Sequence, residues 1–230
     1  MNALDFPLPV LYRDADVAVI NKPAGLAVHP GPRTPHSLED HLPGLAHGRF
    51  TPVAAHRLDR DTSGCLAVAL SRRGARALSA AFAGGAAEKI YWALLSSLPA
   101  APSGLVDAPL LKISSAAAGW RMIVDPGGKP ARTHWVVLNA QTRLVEFRPE
   151  TGRTHQIRVH AAQIGAPIVG DPVYGDGSGP MRLHARELAI TLPDGRIIRS
   201  QAPLPPDWPP ETGRAAAPAT GPAVPDPENR

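Results

Sequence analysis

Between two apolar stretches lies His56-Arg57-Leu58-Asp59-Arg60-Asp61-Thr62-Ser63-Gly64, a run in which a carboxylate sits among arginines. An opposite charge at close range favours the charged form of a carboxyl group. A charged carboxylate suits a nucleophile or a general base and does not suit a general acid. The same arrangement also describes an ion pair in a surface turn, so the run alone leaves both readings open. Thr62-Ser63-Gly64 lacks the Gly-x-Ser-x-Gly elbow of a hydrolase nucleophile, and its hydroxyls read as turn-shaping groups. Two more segments are polar and turn-rich for their places between apolar runs. One is Asn21 to Gly31, a rigid turn carrying Lys22, and the other is Gly152 to His160.

Other chemistries find little support. His155 and His160 are five residues apart, which on a helix turns them about 140° from each other. The i, i+4 histidine pair with its glutamate is missing, so no metal is expected. The single Cys65 excludes an internal disulfide framework and a thiolate zinc site, and fits a reducing cytoplasm. Heading an apolar run, it reads as a small buried hydrophobe. Gly127-Gly128-Lys129-Pro130 lacks the spacing of a phosphate loop, and no dinucleotide fingerprint occurs, so no cofactor is expected. What remains is a fixed carboxylate with many arginines, a set suited to acid–base or covalent carboxylate chemistry on an anionic, polymeric substrate.

The charge balance alone would not have suggested this. The 230 residues carry 24 basic and 20 acidic side chains, a net of +4. With lysine only at 22, 89, 112 and 129, 20 of the cations are arginine. Arginine suits bidentate phosphate contacts and stacking on bases, although GC-rich coding would produce the same excess. Nine of the 27 prolines fall between Pro203 and Pro227, among Ala, Gly and Thr, so residues 203–230 are expected to form an extended tail without chemistry. That tail has a net charge of −2, which leaves residues 1–202 at +6.

Hydrophobic residues make up 43%, enough for a globular core. The longest apolar run, Cys65 to Leu70, is too short to cross a bilayer, and no leader pattern opens the chain, so no membrane association is expected. Strands are expected at Val17–Ile20, Cys65–Leu70, Ile90–Leu95, His134–Leu138, Leu144–Phe147 and Leu188–Leu192. Helices are expected over Ser71–Ala83, with Leu78 and Phe82 four apart, and over Thr154–Ile164, with Thr154 as N-cap. The order lacks a βαβ rhythm, which favours an α+β domain.

The run His56-Arg57-Leu58-Asp59-x-x-Thr62-Ser63-Gly64 resembles the signature of the RluA-type pseudouridine synthases. Four further blocks follow the family's order. They are Asn21-Lys22-Pro23-Ala24-Gly25-Leu26, Lys89-Ile90-Tyr91-Trp92-Ala93, Gly152 to His160 continued by Gly165 to Gly175, and Leu183-His184-Ala185. The resemblance spans roughly residues 17–200. It implies an α+β catalytic domain over residues 1–202, built on a mixed, largely antiparallel sheet with flanking helices and loops. It also implies a cofactor-free isomerisation of uridine to pseudouridine within a structured transfer or ribosomal RNA. A monomer is expected, in the reducing cytoplasm that the single Cys65 fits.

By the same resemblance, Asp59 is the catalytic aspartate, Arg153 the basic residue paired with it, and Tyr91 the tyrosine that stacks on the target base. Arg57 matches a residue that enters the RNA stack as the uridine flips out, with contact to a phosphate alone as the other reading. Lys22, Thr62, His155 and Arg158 join it as substrate-binding residues, while Arg72, Arg73 and Arg76 are candidates for backbone contacts or equally a solvated helix face. Only about 16 residues precede the first expected strand, too few for the appended S4 domain of larger members. RNA recognition would then fall on the catalytic domain, which favours a compact stem-loop or tRNA arm. Lys112–Trp120 reads as an uninformative connection. A non-catalytic RNA-binding protein would be marked by a replaced Asp59 or Tyr91, and both are present. A hydrolase using Asp59 with Asp61 would need two carboxylates in one turn to converge.

Overall fold

A computed structural model of the chain describes residues 8–31, 34, 36–46, 48–115 and 119–209. The strands are β1 (Val10–Arg13), β2 (Val17–Lys22), β3 (Val53–Ala54), β4 (Ser63–Ala69), β5 (Ala87–Leu94) and β6 (Ser103–Asp107). They continue with β7 (Leu110–Ser115), β8 (Gly119–Val124), β9 (Arg132–Asn139), β10 (Leu144–Pro149), β11 (Leu183–Thr191) and β12 (Ile197–Gln201). Two helices accompany them, α1 (Arg72–Ala83) and α2 (Gln156–Gln163).

Ten strands form one sheet in the order β1-β2-β4-β11-β5-β10-β9-β6, with β12 added beside β11 and β3 beside β4. Its pairings are antiparallel except between β4 and β11, which run parallel at His184–Ser63 and Ala185–Gly64. The protein is therefore α+β on a mixed, largely antiparallel sheet, as the sequence implied. Hairpin β7–β8 stands apart as a second, two-stranded sheet.

Every residue of β4 is buried. Its apolar run is continuous because both of its faces are covered, and alternate side chains enter different cores. Cys65, Ala67 and Ala69 join Val17 and Val19 beneath Leu78 and Ala81 of α1. Leu66 and Val68 join Ala18 and Ile20 on the other face, covered by Leu38, Leu42, Leu45 and Leu58. Under β5 and β10, Ala93, Val145 and Phe147 pack against Ile157 and Ala161 of α2. Full burial of a side chain such as Phe147 contributes about 1.5–3 kcal/mol, so these two layers fix where the helices sit.

The six expected strands fall on β2, β4, β5, β9, β10 and β11, and α1 starts after its N-cap Ser71, whose side chain accepts the Gly74 N–H. Four expectations need correction. The N-cap of α2 is His155 in the left-handed region (φ 54°), with no side-chain capping bond, and Gln156 Oε1 folds back to accept the Arg153 N–H at 2.9 Å. Of the stretch Lys112–Trp120, residues 112–115 lie in β7 and 119–120 in β8 of a hairpin. The chain also forms β1 ahead of the strand expected to be first. Finally, the start of the expected tail is docked: Trp208 is buried with Trp92, Leu138 and Leu144, and Asp207 pairs with Arg182. The rest of that tail, 210–230, lies outside the described residues.

Candidate active site

A cleft of about 550 Å³ opens between the end of α1, strand β5, the loop carrying Asp59 and the loop that leads into α2. Three anchors hold the Asp59 loop. The Thr62 N–H donates to the Asp59 carbonyl at 3.1 Å, closing the turn. Gly64 follows at φ +108°, where a Cβ would lie 2.2 Å from the Ala185 carbonyl oxygen, so only glycine lets β4 meet β11 directly behind the loop. His56 accepts the Ala67 N–H at Nε2 (3.0 Å) and packs its ring 4.7 Å from that of Phe82. Burial, with the Lys89 charge second, brings the His56 pKa down to about 4, which keeps the ring neutral and able to accept.

Beneath the loop, Lys22 is fully buried and donates to the carbonyls of Pro23 and Leu26 at 2.7 Å and of Arg60 at 3.1 Å. Burial lowers its pKa to about 7, against the opposing pull of Asp61 and Asp59. The expectation that Lys22 contacts RNA is corrected: its three donors are spent tying the Asn21–Leu26 turn to the Asp59 loop. Thr62 lines the cleft but is 2% exposed, so its structural part is in the turn.

The partner of Asp59 is Arg158, with Nη1 3.2 Å from Oδ2. The expected pairing with Arg153 does not form; that side chain lines the cleft wall, and its Nε donates to the Pro130 carbonyl at 3.0 Å. The reason lies in α2. Arg158 stands on the buried inner side of the helix, at 5% exposure, whereas Arg153 belongs to the exposed loop before it. Arg158 is thus an ion-pair partner and not a freely exposed substrate-binding cation. Its Nε and Nη2 form a fork on Asp171, 2.7 Å to each oxygen. Burial alone would raise the Asp171 carboxyl, but the Arg158 hydrogen bonds and charge, with the Val173 and Tyr174 N–H groups, hold it below the ordinary carboxylate range.

His155 adds a second group beside the carboxylate, Nε2 3.8 Å from Asp59 Oδ2, with Nδ1 3.0 Å from the Tyr174 hydroxyl. Burial lowers the His155 pKa more than Asp59 raises it. Tyr91 enters from β5, where it pairs with Phe147 and Ala185 of the flanking strands. Burial, and then the Asp59 charge, raises its pKa, so the phenol keeps its proton. Arg57, Lys89 and Arg153 line the remaining wall, facing one acid besides Asp59, namely Glu150. Glu150 is already engaged by Arg132 and His134. A carboxylate, a protonated phenol and three cations therefore converge on one open space, an arrangement fitted to hold an anionic strand while the carboxylate meets a planar ring.

Arg73 of the basic cluster on α1 is occupied by Asp16, while Arg72 and Arg76 are exposed. Among the described residues no group of His, Cys, Asp or Glu is placed to hold a metal, and no helix is long and apolar enough to cross a membrane. Sequence reasoning assigned no role to Lys89 or Asp171, although both stand inside the motif blocks. The signal for Asp171 was a carboxylate in the Gly170-Asp171-Pro172 turn, close in sequence to α2. Tyr174, three residues on, became visible as a partner of His155 only in three dimensions.

Comparison with known proteins places this geometry. The family model described as RNA pseudouridylate synthase matches residues 16–163. An uncharacterised RNA pseudouridine synthase of Zymomonas mobilis is 49% identical over 204 residues, covering 85% of this chain and 93% of the relative. The ribosomal large subunit pseudouridine synthase C of Salmonella typhimurium is 39% identical over 212 residues, 85% of this chain and 66% of that protein. Among solved structures, human RNA pseudouridylate synthase domain containing 1 superposes with a TM-score of 0.73 at 29% identity, over 89% of this chain and 86% of the other. The chain belongs to the RNA pseudouridylate synthase family, RluA-type isomerases that act on RNA.

Proposed function

We propose that the chain isomerises a specific uridine in a stem-loop of ribosomal or transfer RNA, with Asp59 as the catalytic carboxylate and the target base flipped into the cleft. The observation that carries this reading is the Asp59–Arg158 ion pair facing Tyr91 across an open, cation-lined cleft. In the reaction the C1′–N1 bond breaks, the uracil turns, and a C1′–C5 bond forms; C5 loses its proton and N1 gains one. No redox change or energy input enters that balance.

C1′ and C5 cannot exchange places inside a stacked helix, so the nucleotide leaves the stack at a cost of a few kcal/mol. Arg57, exposed at the mouth of the cleft, offsets that cost by taking the vacated space. Tyr91 supplies the stacking surface for the extruded base. Its raised pKa argues against a resting role as the base that removes the C5 proton. Arg158 holds the carboxylate aimed and charged-paired, and Lys89 and Arg153 neutralise phosphates of the bound strand. The protein works as a monomer in the cytoplasm, where such RNA is found.

The test is pseudouridine mapping of total RNA from cells with and without the gene, followed by assay of the mapped transcript with Asp59→Asn protein. The variant should abolish conversion while binding the transcript within a few-fold of wild type. Normal turnover by Asp59→Asn would remove Asp59 from the chemistry.

A further inference from the structure

Hairpin β7–β8 carries none of the motif blocks, yet it leans on the active site. Of the four tryptophans, Trp92, Trp135 and Trp208 are at most 9% exposed, whereas Trp120 on β8 is 42% exposed. The hairpin register sets Ser114 opposite Trp120 and Lys112 opposite Met122, so Lys112 and Trp120 share one face as diagonal neighbours. That face is directed at α2. Met122 is buried against Leu110, Ala131 and Val159, and its N–H donates to the Tyr174 hydroxyl at 2.9 Å. The Trp120 ring lies 4.9 Å from the His155 ring at an interplanar angle of 30°. His155 is the residue 3.8 Å from Asp59. A large exposed ring therefore stands one imidazole away from the carboxylate, just outside the cleft lining.

Lys112 Nζ sits 4.8 Å from the Trp120 ring centre, and Arg121 is exposed at the next position along β8. Nucleobases stack on tryptophan more strongly than an exposed ammonium binds its face. A base arriving at Trp120 thus displaces Lys112, whose ammonium is left free for the adjoining phosphate.

We propose that Trp120 and Lys112 form a subsite for a nucleotide flanking the target uridine, Trp120 stacking on its base and Lys112 pairing with its phosphate. This deepens the pseudouridine synthase reading and rests on it. RNA is the occupant because the aromatic face is bordered by cations and is continuous, through His155, with the cleft that takes the uridine. It also gives recognition a residue outside the motif blocks, where differences in target among relatives could reside.

The experiment uses the full chain and, as probe, a stem-loop transcript containing a uridine that the wild-type protein isomerises. If wild type isomerises no uridine in RNA from cells lacking the gene, the functional reading itself fails, whatever Trp120 does. On the Asp59→Asn background, the transcript should quench tryptophan emission, and Trp120→Phe should remove most of that quench. Trp120→Ala should weaken binding about 10- to 100-fold, with Trp120→Phe recovering part of it. Lys112→Ala should lower the slope of log affinity against log salt by about one. An active wild type whose Trp120→Ala variant binds within two-fold overturns the proposal. So does a loss of kcat with unchanged affinity, which would make Trp120 only a support for His155.

Discussion

Arg158 meets Asp59 across 99 residues of chain, its Nη1 3.2 Å from the carboxylate and its side chain 6% exposed. The fork it forms with Asp171 uses two other guanidinium nitrogens, so one cation serves two acids. A lysine would keep the charge and lose the fork. Arg158→Lys should therefore lower kcat about 10- to 100-fold, the worth of one or two charge-assisted hydrogen bonds. Arg153→Ala should raise KM, with kcat changed less than about ten-fold, because that side chain reaches only the Pro130 carbonyl. Tritium release from RNA labelled at uridine C5 measures both. Equal losses of kcat in the two variants would return Arg153 to the ion pair.

Asp171 is fully buried and accepts from Arg158 and from the Val173 and Tyr174 N–H groups. Asparagine can keep the backbone bonds but cannot balance the guanidinium. Removing one partner of a buried pair leaves the other charge uncompensated, so Asp171→Asn should lower stability by about 3 kcal/mol in urea unfolding. At temperatures where the variant is folded, its kcat should fall while RNA affinity holds, since Arg158 is free to swing from Asp59. A fully active, equally stable variant would show that Asp59 needs no such backing.

Lys22→Met tests a different kind of support. The substitution keeps an unbranched side chain of similar length, but orphans three carbonyl groups inside the protein. Their lost hydrogen bonds should lower stability by about 3–5 kcal/mol. The salt slope of RNA binding by the folded protein should stay unchanged, because a fully buried ammonium meets no phosphate. A slope reduced by about one would show that Lys22 reaches RNA after all.

These contrasts mark what a sequence read alone could reach. The apolar runs of β2, β4 and β10 were legible because burial fixes their composition. That Asp59 and Tyr91 would face one cleft was legible because their motifs are dense in unusual residue types. Lys22 was misread because a cation in a Gly- and Pro-rich turn looks exposed until the fold closes three carbonyls around it. The exchange of Arg153 for Arg158 has the same origin: two arginines five residues apart differ only in whether they precede α2 or lie on its inner face. His155 takes φ 54° at that junction, a conformation that spacing does not announce and that shifts the helix start past Thr154. Hairpin β7–β8 escaped notice because Lys112 to Trp120 alternates weakly.

Stability should fall as pH drops from 6.5 to 4, through buried histidines that brace the site. His56 accepts the Ala67 N–H, and His184 lies 2.8 Å from Ser63 Oγ through its Nδ1. Burial brings both from an ordinary 6.5 down to about 4. Within that interval the unfolded chain binds more protons than the folded one, so stability rises with pH there. The contribution is complete above 6.5 and is lost as pH falls toward 4, by at most about 3 kcal/mol for each histidine. His155 and His160, also lowered by burial, act in the same direction. Asp171 acts lower, losing its contribution only as pH falls below the ordinary carboxylate value of 3.8. Urea midpoints at pH 7, 6 and 5 should therefore decline stepwise, and His56→Gln, whose amide oxygen can still accept from Ala67, should flatten part of the decline. A midpoint constant from pH 7 to 5 would mean that these rings take up protons without breaking the bonds that anchor the Asp59 loop and β4.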